Sequence, residues 1–388
     1  MSLGRYEQAI QRIARTGVSQ LLPSGRSDGA SWLFGAASGR SYSDNSSVLH
    51  RYVLAHRPGI EAIWTIDSNS PDREIVERLG RVVPRDSLDA HRLARQADVI
   101  VFSHGIHDVP GQLCNRRALR VRLGHGLTAF GARKDTSSWR SRRHTAAIDI
   151  APVASRMEQD HKAKWGFSRE QLPITGLPRW DELVRQRDSS RTDRGRPLVL
   201  YAPTSRPWHT SGDASSGGEM APMAEFLRSH RLREMLDVGA LDLVIYLHQN
   251  TRHKFGTLDW LPDGVVLASS EAEIPRLIAQ SSLLISDYSS VLWDALYVDI
   301  PVIFFQFDRD AHERNRGSYI DLRSHLFGPN VDCAEDLLDV LQGAVNGDWC
   351  LSGWADERAH WQRRAFAYRD ANNAERVLDV IETRAKAR

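Results

Sequence analysis

The chain has 388 residues, long enough for two domains of ordinary size, and its 51 Lys and Arg nearly cancel 49 Asp and Glu, leaving a formal net charge of +2. That balance gives no global reason to expect a nucleic-acid partner. Cys114, Cys333 and Cys350 are odd in number and lack metal-type spacing, which fits a reducing compartment without structural zinc. No secretory signal is read, and no apolar run approaches the ~18 residues of a membrane-spanning helix. The expectation is a cytoplasmic chain, peripheral on a membrane at most.

Residues 1–30 carry Leu3, Tyr6, Ile10, Ile13, Val18 and Leu21 at helical spacing, with Arg5, Arg12 and Arg15 on the polar side. Such a stripe can lie on an anionic membrane surface or pack on the protein's own core. From 31 to 184 short apolar strands alternate with helices, the pattern of a parallel sheet wrapped by helices. Strands are predicted at 32–35, 61–66, 82–83, 99–102, 120–123 and 147–153, and helices at 46–55, 71–79, 89–96, 159–165 and from Asp181. Ligands of open α/β sheets bind at the carboxyl ends of strands. Three such ends are Gly35–Asn45, Ser103-His104-Gly105 and Gly124-His125-Gly126. The two glycines let the backbone and ring of His125 approach a ligand closely, which makes it a catalytic candidate, with a structural histidine as the alternative. Residues 116–143 hold nine Lys or Arg and one acid, Asp135. A patch so one-sided attracts polyanions or lipid headgroups, unless it is only a solvated loop.

The polar stretch 185–197 has no apolar period and reads as a linker. A second α/β unit spans 198–350. Its first strand, 198–201, ends near Thr204, Ser205 and Arg206, which could bind phosphate; 211–218 reads as a mobile loop, 226–236 as one helix, and the strand 241–247 ends at His248. A strand at 265–267 and a helix at 274–280 lead into the strand–helix–strand run 283–305. Its turn, Ser286-Asp287-Tyr288-Ser289-Ser290, precedes a helix starting at Val291. Unpaired N–H groups and Ser hydroxyls at such a start can hold a phosphate, and plain helix capping accounts for the same residues. A charged loop at 308–321 contains Arg316. A helix at 334–345 follows, and residues 351–388 hold C-terminal helices, read as one long amphipathic helical tail over 356–385.

Eight segments in order carry a resemblance: SWLFG…SYSDNS (31–47), GHG (124–126), ITGLPRWDEL (174–183), VLYAPTSR (199–206), YLHQN (246–250), LLISDYSSVLWDAL (283–296), IPVIFFQFD (300–308) and RGSYIDL (316–322). Together they make the chain similar to the CDP-glycerol glycerophosphotransferases, which include teichoic-acid primases and polymerases and related capsule polymerases. The resemblance implies an α/β GT-B architecture, two Rossmann-like domains facing across a cleft, with a last helix that can cross back to the first domain. It places the acceptor domain at 31–184 and the CDP-donor domain at 198–350. It also implies transfer of a phosphopolyol from a CDP-polyol, glycerol first, to a hydroxyl of a lipid-linked or anionic polymer acceptor, with release of CMP.

On the family's pattern His125 falls at the likely-base position of the His-Gly motif, His248 at a second catalytic histidine, and Ser289 and Ser290 at the phosphate turn. Gly126, Thr204, Ser205, Arg206, Ser286, Asp287 and Arg316 complete the expected substrate-binding set. No cofactor and no metal ligand are expected, since the CDP-polyol is itself a substrate. Gly124 replaces the aromatic residue common before His-Gly, and Gln249 stands where proline is frequent after the second histidine. Two other readings stay open. One is a GT-B enzyme acting on a nucleotide sugar, a glycosyltransferase or 2-epimerase. The other is a CDP-polyol-binding protein without turnover.

Overall fold

The computed structural model describes residues 30–110, 115–127, 145–190, 195–204, 206, 221–247, 261–269, 274–318, 320–322, 324 and 326–388. The N-terminal stripe, the basic residues beyond 127, the 211–218 loop, Ser205 and His248 lie outside them. The described chain forms two compact units, one from 30–125, 145–181 and 370–388, the other from 126–127 and 182–369.

The first unit is a five-stranded, all-parallel sheet in the order β3-β2-β1-β4-β5, where β1 is Ala30–Gly35, β2 Ile60–Ile66, β3 Arg81–Pro84, β4 Val99–Phe102 and β5 Leu119–Arg122. Strands covered on both faces read as unbroken apolar runs, and β4 (VIVF) is buried at every residue. One face packs Trp32, Phe34, Trp64, Val101 and Val121 against Leu49 and Val53 of the helix Asp44–His56. The same cluster takes Val377, Leu378 and Ile381 from the C-terminal helix Asn373–Lys386. Burying those three is worth roughly 5–9 kcal/mol, so this helix is part of the first unit. The expected crossing back is present.

Motif 174–183 shows how that docking is built. Gly176 has φ 78°, and a Cβ there would sit 1.8 Å from Asn373 Oδ1, so only glycine admits the helix start. The Asp181 carboxylate accepts from the Asn373 N–H (2.9 Å), its side-chain amide (2.7 Å) and the Ala374 N–H (2.7 Å). A carboxylate over unpaired N–H groups is the favoured cap of a helix N-terminus.

His50 is enclosed in the same core. Its ring meets Phe34, Trp64 and Tyr42 with centroids 5.0, 5.4 and 5.7 Å away, and Nδ1 lies 2.9 Å from the Tyr42 hydroxyl. Burial, partly offset by a hydrogen bond with the backbone at Ala62, pushes its pKa down to about 4. The unfolded chain therefore binds this proton between pH 6.5 and 4 while the folded chain does not. The contribution to stability is whole above about pH 6.5 and is lost as pH falls towards 4, by about 3 kcal/mol. Urea unfolding of His50→Gln should show that much less acid destabilisation over this window than wild type. Equal slopes would remove His50 from the account.

The second unit is a six-stranded parallel sheet in the order β11-β10-β9-β6-β7-β8, with β6 Leu198–Tyr201, β7 Asp242–Ile245, β8 Val265–Leu267, β9 Leu283–Ser286, β10 Val302–Phe305 and β11 Asn330–Val331. Tyr201, Ile285, Ile303 and Phe305 pack against Phe226, Leu337 and Leu341 from its helices.

Five expectations are corrected. Residues 147–153 form no strand; they make only the parallel bridges Val121–Ile150 and Val153–Ile174. The first part of the expected linker is helical, because the helix Arg179–Ser190 runs on through it with Glu182 accepting from Gln186 at 3.0 Å; a solvated helix face needs no apolar period. The helix expected at 226–236 is two, Ala221–Arg228 and His230–Asp237, because Ser229 is extended and its hydroxyl accepts from the Arg231 N–H. The loop expected at 308–321 contains the helix Arg309–Asn315, whose inner face buries Ala311 and His312. The C-terminal tail is broken into Ala355–Ala365 and Asn373–Lys386. The first of these stays with the second unit, where Gln362 Nε2 donates to Leu296 O and Asp299 Oδ1.

Candidate active site

In the first unit the carboxyl ends of β1, β4 and β5 meet the starts of two helices. Asn45, buried at the start of Asp44–His56, donates from Nδ2 to Gly124 O (3.0 Å) and accepts at Oδ1 from the Arg179 N–H (2.9 Å). One side chain thus ties the Gly124–His125 turn to the start of Arg179–Ser190. Arg179 Nη1 donates to His125 O (3.0 Å) and lies 3.4 Å from Asp44 Oδ1. Gly124 (φ 74°) and Gly126 (φ 131°) flank His125 in conformations that L side chains avoid. The imidazole stacks on His104, centroids 5.2 Å apart. Behind it the buried Asp108 accepts from the N–H groups of Ser38 (2.8 Å), His104 (2.7 Å) and Gly105 (3.2 Å), fixing the loops after β1 and β4.

His125 keeps solvent access on one side while protein crowds the other. That crowding pushes its pKa down to about 4, with Asp44 opposing the shift and His104, Arg179 and Arg122 adding to it. The ring is neutral at pH 7 and has a nitrogen able to accept a proton. Asp44, Asn45, His104 and Arg179 were not among the residues singled out for a role. Their motifs, SYSDNS and ITGLPRWDEL, were visible, but only the fold brings positions 44, 104, 125 and 179 together.

In the second unit the ends of β6, β9 and β10 converge on a buried ion network. Arg206, 3% exposed, lies 2.8 Å from Asp287 Oδ2 by Nη2 and 2.6 Å from Asp308 Oδ2 by Nε. Its third nitrogen donates to Thr204 O (2.8 Å). Asp287 also accepts from the Thr204 N–H and hydroxyl and the Tyr288 N–H, and the Tyr288 hydroxyl donates to Asp308 (3.2 Å). Burial alone would weaken the guanidinium, but the two aspartates hold it above its ordinary range, always protonated. Burial first, then Asp308 and Asp287, raise Tyr288 beyond its usual value, so it stays neutral. His312, stacked on Tyr288 at 3.7 Å, is pushed down to about 4, chiefly by burial. Among the described residues the Arg206 guanidinium is thus shared by the carboxylates of Asp287 and Asp308.

The remaining residues of the expected set divide by exposure. Ser286 is buried and donates its hydroxyl to Ala202 O (2.6 Å). Ser289 and Ser290 are half-buried at the head of the helix Val291–Tyr297, and Ser290 makes no side-chain cap. Ser289 Oγ accepts from the Val291 N–H at a long 3.4 Å. Arg316 is half-buried just past Arg309–Asn315, its N–H donating to His312 O. These features bring Thr204, Arg206 and Asp287 into one network with Asp308, while Ser286 bonds to the backbone of Ala202.

Two parallel Rossmann-like units, with a last helix returning to the first and polar loops at the strand ends, define the GT-B class of fold. The model of the CDP-glycerol:poly(glycerophosphate) glycerophosphotransferase family matches residues 22–383, and the chain belongs to that family. It is 21% identical over 360 residues to the minor teichoic acid biosynthesis protein GgaB of Bacillus subtilis (strain 168), covering 87% of this chain and 38% of that protein. It is 25% identical over 326 residues to the teichoic acid poly(glycerol phosphate) polymerase of Staphylococcus epidermidis, covering 76% and 43%. The chain thus spans less than half the length of these curated relatives. In fold it is similar to the wall teichoic acid polymerase TagF, with TM-score 0.76, 17% identity and coverage of 100% of this chain and 99% of that one. A putative UDP-N-acetylglucosamine 2-epimerase from Listeria monocytogenes shares the fold more distantly, with TM-score 0.57, 13% identity and coverage of 93% and 98%.

Proposed function

We propose that this chain moves a polyol phosphate, with glycerol phosphate the leading candidate, from a CDP-polyol to a hydroxyl of a lipid-linked or polymer acceptor. The observation that carries the reading is a neutral histidine, His125, held between two left-handed glycines beside Asp44 in a member of this family. His125 takes the proton of the acceptor hydroxyl. The freed oxygen pair forms the bond to the phosphorus bearing the polyol, and the bond to CMP breaks, its electron pair leaving with CMP. Such transfers depend on positioning and charge stabilisation more than on covalent chemistry. Relatives named for glycerol phosphate and for ribitol phosphate polymers support the CDP-polyol class. A lipid-linked acceptor would place the enzyme at the inner membrane face, which the exposed basic residues Arg116 and Arg117 suit. Incubation with CDP-glycerol, CDP-ribitol and UDP-sugars, followed by chromatography, tests the reading. CMP release from a CDP-polyol supports it, and UDP chemistry in its place would end it.

The donor diphosphate is assigned to Ser289, Ser290 and the N–H groups near Val291. Hydrogen bonds to a charged group are worth ~1.5–3 kcal/mol each. Titrated with CDP-glycerol, the Ser289→Ala, Ser290→Ala double variant should bind about ten- to a thousandfold more weakly. Its melting curve should move little, because neither serine makes a strong cap. Unchanged affinity in the folded variant would return both to structural roles.

A further inference from the structure

His104 and His125 lie face to face, their planes 9° from parallel. The Ala37 N–H donates to His104 Nδ1 over 3.1 Å, so Nδ1 is the acceptor and the ring proton resides on Nε2. Nε2 faces Asp44 Oδ2 at 3.6 Å. A shift of about half an ångström would make this a hydrogen bond. The other Asp44 oxygen accepts from the Asn45 N–H at 2.9 Å and faces Arg179 Nη1. The backbone around this group is strained: Ala37, Ser38 and Asp44 have φ of 46°, 56° and 66°. Left-handed non-glycine residues are strained and persist where surrounding contacts over-determine them.

Resting on the transfer reading above and deepening it, we propose that Asp44 and His104 are positioning residues for His125. Asp44 supplies the counter-charge when His125 takes the acceptor proton. His104 holds the His125 ring plane by stacking and turns the Asp44 carboxylate through its Nε2–H. Among the described residues, the charged and titratable groups facing His125 are Asp44, His104, Arg179 and Arg122. Two of these are fixed cations that oppose an imidazolium, and Asp44 is the one carboxylate among them that favours it. Proton transfer to His125 without Asp44 would place a third positive charge beside two.

Asp44→Asn tests the counter-charge cleanly, because Asn adopts left-handed φ readily and the backbone can stay as it is. The protonation midpoint of His125 is read by histidine-selective NMR, its signal identified by loss in His125→Gln. In Asp44→Asn the midpoint should fall by about one pH unit. CMP release from CDP-glycerol onto a detergent-solubilised, lipid-linked glycerol phosphate should slow about ten- to a hundredfold in kcat, with the donor KM within about twofold. His104→Phe keeps the stacked face but not the Nε2–H, and should lower kcat about tenfold at unchanged donor KM. A His125 midpoint in Asp44→Asn within about 0.3 pH unit of wild type overturns the counter-charge role. Wild-type kcat in His104→Phe overturns the role of His104. A wild-type protein that releases no CMP, with the midpoint still shifted in Asp44→Asn, refutes the transfer reading and upholds the charge pairing.

Discussion

His125→Ala should abolish transfer while leaving the affinity for CDP-glycerol within a few-fold of wild type. General-base catalysis typically contributes ~10²–10⁴-fold, and His125 is a neutral imidazole in the cluster at the strand ends of the first unit, its pKa held down to about 4. The mutation removes the proton acceptor without touching a buried contact of the core, since Asn45 and Arg179 grip the turn through backbone carbonyls at Gly124 and His125. The fold should therefore survive, and loss of rate with retained donor binding is the expected signature. The depressed pKa adds a pH test. Wild-type activity should persist as pH falls below 6.5 and fail only as the ring protonates nearer 4. Near wild-type kcat in His125→Ala at saturating acceptor would show that another group takes the proton.

Arg206→Ala should destabilise the second unit by about 3–5 kcal/mol, the usual cost of removing one partner from a buried ion pair. The guanidinium is 3% exposed and Asp287 2%. Its loss leaves two buried carboxylates without their shared cation and frees Thr204 O. For a unit of this size the melting midpoint should drop on the order of ten degrees. Arg206→Lys should recover only part of this, because an ammonium cannot reproduce the forked contacts to two aspartates and a carbonyl. The contrasting outcome is informative. A variant that melts like wild type but no longer binds CDP-glycerol would assign Arg206 to the donor instead of to the scaffold.

Much of the fold was legible because it rests on local sequence. β1, β2, β4, β6, β9 and β10 are largely apolar runs, each preceded by Gly, Pro, Ser or Asp, and each stands within about two residues of its expectation. Misread segments share one cause, a contact the local pattern does not contain. The break at Ser229 depends on a single hydroxyl capping the next helix. Residues 147–153 have the composition of a strand, but only isolated bridges form beside β5. The helix Arg309–Asn315 looks like a charged loop because only Ala311 and His312 face inward.

The site divides along the same line. The sequence by itself determined that His125 sits between glycines at a strand end, and that a Ser-rich turn opens the helix Val291–Tyr297. Those are properties of neighbouring residues, and backbone preference enforces them. Only the tertiary structure decided which side chains surround them. Asp44, His104 and Arg179 reach His125 from positions 81, 21 and 54 residues away along the chain, and Arg206 meets Asp308 across 102. The parallel order β3-β2-β1-β4-β5 makes the first convergence, because it sets the ends of β1, β4 and β5 side by side. Strand order is fixed by packing of whole layers, which no short stretch of sequence encodes. The C-terminal helix follows suit: its apolar stripe was plain, but that stripe fits any core, and Gly176 and Asp181 chose the first unit for it.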